Sequence, residues 1–116
     1  MTKACDLTAI EARELIGNKK LSPVELTKSC LDQIEKLNSS INAVVAINHD
    51  EVLKDAQQAE DEVMSGNELG ILHGLPVGIK DLNLVKNLRS TSGSKLYENR
   101  IPKEDDSVVQ SIRNEG

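Results

Sequence analysis

With 116 residues the chain has the length of one ordinary domain. Aromatics make up 1% of it, Tyr97 being the sole aromatic ring, so a core must be built from Leu, Ile, Val and Ala, and no platform exists for stacking bases or sugars. A net charge of -5, from 14 basic and 19 acidic groups, disfavours a phosphate backbone as partner, so no nucleic acid is expected.

The first elements are announced by capping signals. In LTAIEARELIGNKK, Thr8 and Glu11 form a capping box, Ile10, Leu15 and Ile16 fall on one side, and Gly17 before the lysines reads as the stop. In SPVELTKSCLDQIEKLN, Ser22 caps, Pro23 suits the first helical position and Glu25 closes the box. Val24, Cys30, Leu31, Ile34 and Leu37 then make a helical stripe, with Asp32 and Lys36 paired on an exposed face.

At Ile41 the period changes. Residues 43–47 are continuously apolar and rich in β-branched side chains, the pattern of a strand covered on both faces, so residues 41–47 are expected to be a strand. A third helix is expected from Asp50 to about Ser65, with Val52, Leu53, Ala56, Ala59 and Val63 buried and Gly66 past its end. The final DSVVQSIRNEG reads as a helix capped by Asp105 or Asp106.

Residues 71–85, ILHGLPVGIKDLNLV, interrupt the most apolar region with Gly74, Pro76 and Gly78 and set Lys80 and Asp81 in its middle. Gly74 allows a turn, Pro76 fixes an extended entry, and residues 77–79 suffice for a short strand. Alternation puts Gly78 and Lys80 on one face, so Lys80 would lie beside a gap that admits a substrate or another backbone. On residue type and spacing alone, Lys80 reads as a solvated lysine at a strand end. A phosphate loop lacks its GxxxxGK[ST] spacing, and STSGS (residues 90–94) lacks the GxSxG of a nucleophile elbow. The class expected from these elements is α/β, a mixed sheet with packed helices.

No run approaches the roughly 20 apolar residues of a membrane span, and the first residues carry no secretory signal. Cys5 and Cys30 have neither CxxC nor metal spacing and read as free thiols of a reducing, cytoplasmic compartment; no metal or cofactor is expected. His49 and His73 are not at ligand spacing, and His73 is expected to be a structural neighbour of the turn. Asp81, facing away from Lys80, is expected to accept hydrogen bonds that organise adjacent loops.

The run LHGLPVGIKD, followed by STSGS and then DDSVVQSIRNEG, resembles the amino-terminal part of the amidase signature family, in which LxGxPxxxKD precedes a T-T-x-G-S-like turn. The upstream SPVELTKSCLDQIEKLNSSINAVVAI is similar to that family's opening helix and first strand. The resemblance implies that Lys80 is the general base of a Lys, cis-Ser, Ser triad acting on a small-molecule amide through an acyl-enzyme. It implies also that both serines belong to a later Gly/Ser-rich segment, so Ser90, Ser92 and Ser94 are not triad members. Residues 1–116 would then be the amino-terminal portion of an amidase domain, truncated before the nucleophile, inactive alone and self-associating through exposed sheet surface. KDLNLV departs from the Lys-Asp-Asn associated with the glutamyl-tRNA amidotransferase subunit, which makes a general amidase the first parent and that subunit the alternative. A non-catalytic remnant or interaction module is the competing reading.

Overall fold

Capping residues fix where the first three α-helices begin in the computed structural model, which describes residues 2–116. Thr8 Oγ1 accepts the Glu11 N–H at 3.2 Å while Glu11 Oε2 accepts the Thr8 N–H at 2.9 Å, opening α1 (Ala9–Gly17). The same backbone bond from Thr8, seconded by the Thr8 hydroxyl, holds the Glu11 carboxyl below its usual range. Ser22 Oγ accepts from the N–H groups of Val24 (3.0 Å) and Glu25 (3.3 Å), with Pro23 in the first turn of α2 (Pro23–Ile41). Asn48 Oδ1 caps α3 (His49–Met64) through the Glu51 N–H, and Gly66, at φ +75°, turns the chain just beyond it. A short α4 (Ser107–Asn114) and two 3-10 turns, Ala4–Asp6 and Lys95–Tyr97, complete the regular structure.

α2 packs on α3, and the Ala4–Asp6 turn packs on α2. Ala12 and Ile16 from α1, Leu21, Leu26 from α2 and Val63 from α3 form the core, with Leu7, Leu15, Cys30, Leu69 and Leu75 packed around it. The stripes are rotated from those expected. Ile10 is 75% exposed while Ala12 takes the inward position one turn before Ile16, and Leu26 and Thr27 are buried in α2 where Leu37 is exposed. Capping chemistry is local, so the boundaries follow from sequence; which face turns inward depends on the neighbouring helices.

The expected mixed sheet is overturned. No strand occurs among the described residues. Ile41 is the last residue of α2, Asn42 follows in the left-handed region at φ +48°, and residues 43–48 carry no secondary structure. Their polar groups find side chains in place of a ladder. The Asn38 amide donates to the Val44 carbonyl at 2.8 Å and accepts the Val44 N–H at 2.9 Å, and Arg89 Nη2 donates to the Val45 carbonyl at 2.6 Å. Val45 is 46% exposed, so this segment is not covered on both faces. Residues 77–79 likewise lie outside any strand, with Val77 exposed. Apolar β-branched composition specifies a surface to be covered, but a strand exists only where a second backbone completes its hydrogen bonds.

Gly74 ties the irregular half of the chain to this core. Its φ is +80°, and a Cβ there would stand 2.9 Å from Pro23 Cγ and 3.2 Å from Ile16 Cδ1. Gly74→Ala is expected to cost roughly 2 to 4 kcal/mol, from left-handed strain plus overpacking. Gly66→Ala, with similar φ but nothing within 4 Å, should cost only the backbone part, about 1 to 2 kcal/mol. Urea titrations of the two variants check this; equal losses would mean that the contact of Gly74 with Pro23 and Ile16 contributes nothing.

Candidate active site

The approach to Lys80 is pinned on several sides. Arg13 Nε donates to the Gly70 carbonyl at 3.0 Å, and the Leu72 N–H donates to the Glu115 carbonyl at 3.0 Å. His73, 3% exposed, places Nε2 2.9 Å from the Ala59 carbonyl; a carbonyl only accepts, so Nε2 carries the proton. Its Nδ1 lies 3.8 Å from Glu62. His73 is thus a neighbour of the turn, as its sequence context suggests. From Pro76 the chain runs outward, with Pro76, Val77 and Gly78 all exposed.

Lys80 is exposed and opens a turn in which the Asn83 N–H donates to its carbonyl at 2.9 Å. It takes no part in the ion pairs of the described residues, which join Arg113 to Asp55 and Asp105. A Cβ at Gly78, two residues before Lys80, would meet nothing within 4 Å. Asp81 is tied down. Its carboxylate accepts the Thr91 N–H at 2.8 Å and the Thr91 hydroxyl. These bonds, the hydroxyl's first, hold its carboxyl below the ordinary range, and Arg89 and Arg100 add to the effect.

The serines of STSGS serve the loop itself. Ser90 is buried, its hydroxyl donating to the Leu88 carbonyl at 3.0 Å and accepting the Val85 N–H at 3.4 Å. Ser92 accepts from Arg100 Nη2 at 2.8 Å, and Ser94 caps the following 3-10 turn through the Leu96 N–H. Arg100 carries no signal in the sequence, yet its Nε also donates to the Ser90 carbonyl at 2.8 Å and its guanidinium lies 4.2 Å from the Tyr97 ring centroid. A lone arginine outside any motif does not announce such partners.

Asp106 occupies the N-cap position of α4, but its carboxylate accepts the Leu84 N–H at 2.6 Å and makes no cap bond. Asp105 accepts the Lys86 N–H at 2.7 Å and pairs with Arg113 Nε at 2.8 Å. The acids expected to cap α4 therefore clasp the loop that follows Lys80.

Two clefts, of 610 Å³ beside residues 45–50 and 87–89 and of 330 Å³ along α2, both open to solvent; Lys80 lines neither. His49 borders the larger one, away from His73. Among the described residues no group of three His, Cys, Asp or Glu converges as a metal site. Cys5 and Cys30 are free, and burial, with Cys5 nearby as a second cause, pushes the Cys30 thiol up.

The family profile described as Amidase matches residues 25–116, a stretch that contains α2, the Lys-Asp run and the serine loop. The chain belongs to the amidase family. The glutamyl-tRNA(Gln) amidotransferase subunit of Geobacter sp. (strain M21) is 37% identical over 111 residues, covering 96% of this chain and 23% of the relative. The protein of the same name in Granulibacter bethesdensis is 35% identical over 116 residues, covering 100% and 23%. Among solved structures, a bacterial aryl acylamidase of the amidase signature family has TM-score 0.85 at 28% identity, over 94% of this chain and 23% of that one. A structure tracing the origins of an s-triazine catabolic enzyme shares the fold, with TM-score 0.89 at 22% identity, over 95% of this chain and 24% of that one. The chain thus spans about 23% of the length of the curated relatives it matches. Both parents weighed from sequence have counterparts here: Leu82 after the Lys-Asp pair does not separate the chain from the amidotransferase relatives.

The Asp81 clasp is testable by pH. Its native carboxyl titrates below the unfolded value of about 3.9, so the stabilisation is fully present above that value and is lost as pH falls through the native one. Asp81→Asn is expected to lower stability at pH 7 by a modest amount, the deficit against the parent narrowing below about pH 4. Thermal melts of both proteins from pH 7 to pH 2 check this; a deficit constant down to pH 2 would show that the carboxylate charge is not what Thr91 holds.

Proposed function

We propose that these 116 residues form the amino-terminal portion of an amidase domain and supply its general base, Lys80, for hydrolysis of a carbon-nitrogen amide bond. The observation that carries this reading is the LxGxPxxxKD run at residues 72–81 inside the family match, with an exposed lysine and a fixed aspartate next to it. In the reaction the neutral amine of Lys80 takes the proton of a bridging serine, which takes that of the nucleophilic serine. The serine oxygen attacks the amide carbon, the leaving amine departs protonated, and water then hydrolyses the acyl-enzyme. Both serines come from the remaining length of the domain. The substrate class is a small-molecule amide, in keeping with relatives named as an aryl acylamidase and an amidotransferase. The free thiols fit a reducing, cytoplasmic setting.

A lysine with the unperturbed pKa of about 10.4 is neutral in roughly one molecule in 2,500 at pH 7, so a lysine base works only in a water-poor pocket. Lys80 faces solvent in this chain. The 116 residues alone are therefore expected to turn over neither aliphatic nor aryl amides. Grafted in place of the matching segment of an aryl acylamidase they should support turnover, which Lys80→Ala lowers by about 10²- to 10⁴-fold while Ser94→Ala has little effect. A graft equally active with Lys80→Ala, or turnover by the chain alone that depends on Lys80, would overturn the assignment.

Ile71 (72%), Val77 (50%), Leu82 (59%) and Val45 (46%) are exposed on segments outside the helices. Apolar side chains left uncovered on connecting segments favour association. Sedimentation equilibrium is expected to show a mass that rises with concentration; a monomer throughout the micromolar range would count against it.

A further inference from the structure

We propose that Asp81 is a positioning residue for Lys80, anchored through Thr91 to a loop that Arg100 holds in shape. The proposal rests on the reading of Lys80 as the base, since it says how that lysine is aimed.

Lys80 does not place itself, because its side chain is exposed and joins none of the ion pairs of the described residues. The backbone around it is what is held. On one side of the turn the Asn83 N–H donates to the Lys80 carbonyl; at the next residue the Asp81 carboxylate receives both the N–H and the hydroxyl of Thr91. A side chain clamped at position 81 and a carbonyl clamped at position 80 restrict the two dihedrals that separate these residues. The direction of the Lys80 Cα–Cβ bond is set between them.

Thr91 is a firm anchor because its neighbours are bracketed. The Ser90 N–H donates to the Arg100 carbonyl at 3.0 Å, while Arg100 Nε returns a bond to the Ser90 carbonyl at 2.8 Å. The other arm of the guanidinium reaches Ser92 at 2.8 Å, so one planar fork grips the residues before and after Thr91. Tyr97 lies against that fork, and the buried Ser90 hydroxyl ties the loop back to Val85 and Leu88. The charged groups that face Asp81 are Arg89 and Arg100, both of which favour its ionised form. Orientation of a catalytic group by a partner that never touches substrate is a recognised source of rate, since small misplacements of a base are costly.

The test is a pH titration of the assigned backbone amides and side-chain carbons of the whole chain by NMR, on the parent, Thr91→Val, Thr91→Ser and Arg100→Lys. The Lys80, Asp81 and Thr91 resonances of the parent are expected to share one acidic midpoint. Thr91→Val should raise that midpoint at both Lys80 and Asp81, since the hydroxyl bond that favours the carboxylate is lost. Thr91→Ser, which keeps the hydroxyl, should restore it, and Arg100→Lys, which keeps charge but loses the fork, should move it in the direction of Thr91→Val. Lys80 resonances that ignore the Asp81 titration, or a midpoint unmoved by Thr91→Val, would overturn the proposal. In the acylamidase graft, Thr91→Val should lower kcat about tenfold with KM little changed, and Thr91→Ser should recover it; a KM effect alone would speak against positioning. A graft indifferent to Lys80→Ala would defeat the amidase reading and leave the titration result standing, so the two failures are distinct.

Discussion

Ile16 is wholly buried, and what presses on it decides how the rest of the chain is arranged. It stands in α1, joins the core with Leu26 of α2 and Val63 of α3, and receives Gly74 from the loop that leads to Lys80. A core this small leaves no slack. Interiors pack at near-crystalline density, so the loop can approach only where a residue has no side chain, and only with the left-handed backbone that glycine tolerates. The position of residues 76–81 is therefore inherited from the packing of three helices, through one residue that carries no functional group.

Beyond that contact the chain is held by a different kind of force. Between Met64 and Ser107 the described residues form one 3-10 turn and no strand, so backbone groups that would be satisfied by a ladder are satisfied by side chains. Asp105 and Asp106 take the N–H groups of Lys86 and Leu84, Asp81 takes that of Thr91, and Arg100 takes the Ser90 carbonyl. Arg89 does the same for Val45 in the connection between α2 and α3. Each involves an ionised group, and charge-assisted bonds of this type are roughly twice as strong as neutral ones. Ionised side chains give the loop layer definition that its few buried apolar residues, such as Val85, do not supply.

What could be read from sequence follows the range of the forces involved. Thr8 with Glu11, Ser22 with Pro23, and Gly66 are decided within one turn of chain, and the helices start or stop where those residues say. The sheet failed because pairing is a property of two segments. Residues 43–47 announce an apolar extended run but cannot announce a partner, and the Asn38 amide supplies both hydrogen bonds to Val44. Asp105 and Asp106 satisfy the same local capping rule that succeeds at Ser22, yet they are claimed by residues about twenty positions away. Asp81 as an organiser of adjacent loops was legible, because a carboxylate at the centre of a Gly- and Pro-broken run has backbone N–H groups to collect; Arg100 was not, since nothing local marks its partners.

The division between core and loop layer bears on what an amidase asks of this segment. The apolar core is built from α1, α2 and α3, whereas, in the proposed reading, the lysine's direction depends on the polar clasp of residues 81–106. A lysine base has conflicting needs: it must be aimed with fixed geometry, and it must be kept from water so that its neutral form is accessible. The clasp can meet the first need without meeting the second, because hydrogen bonds to residue 81 restrict the backbone while leaving the amine in solvent. Dehydration in the proposed enzyme comes from surface laid over this segment, where the apolar side chains of Val77 and Leu82 are exposed. In the proposed enzyme, covering those side chains and drying the lysine are thus one event, so the pocket that activates the base also buries apolar surface, and that burial offsets the cost of desolvating the amine.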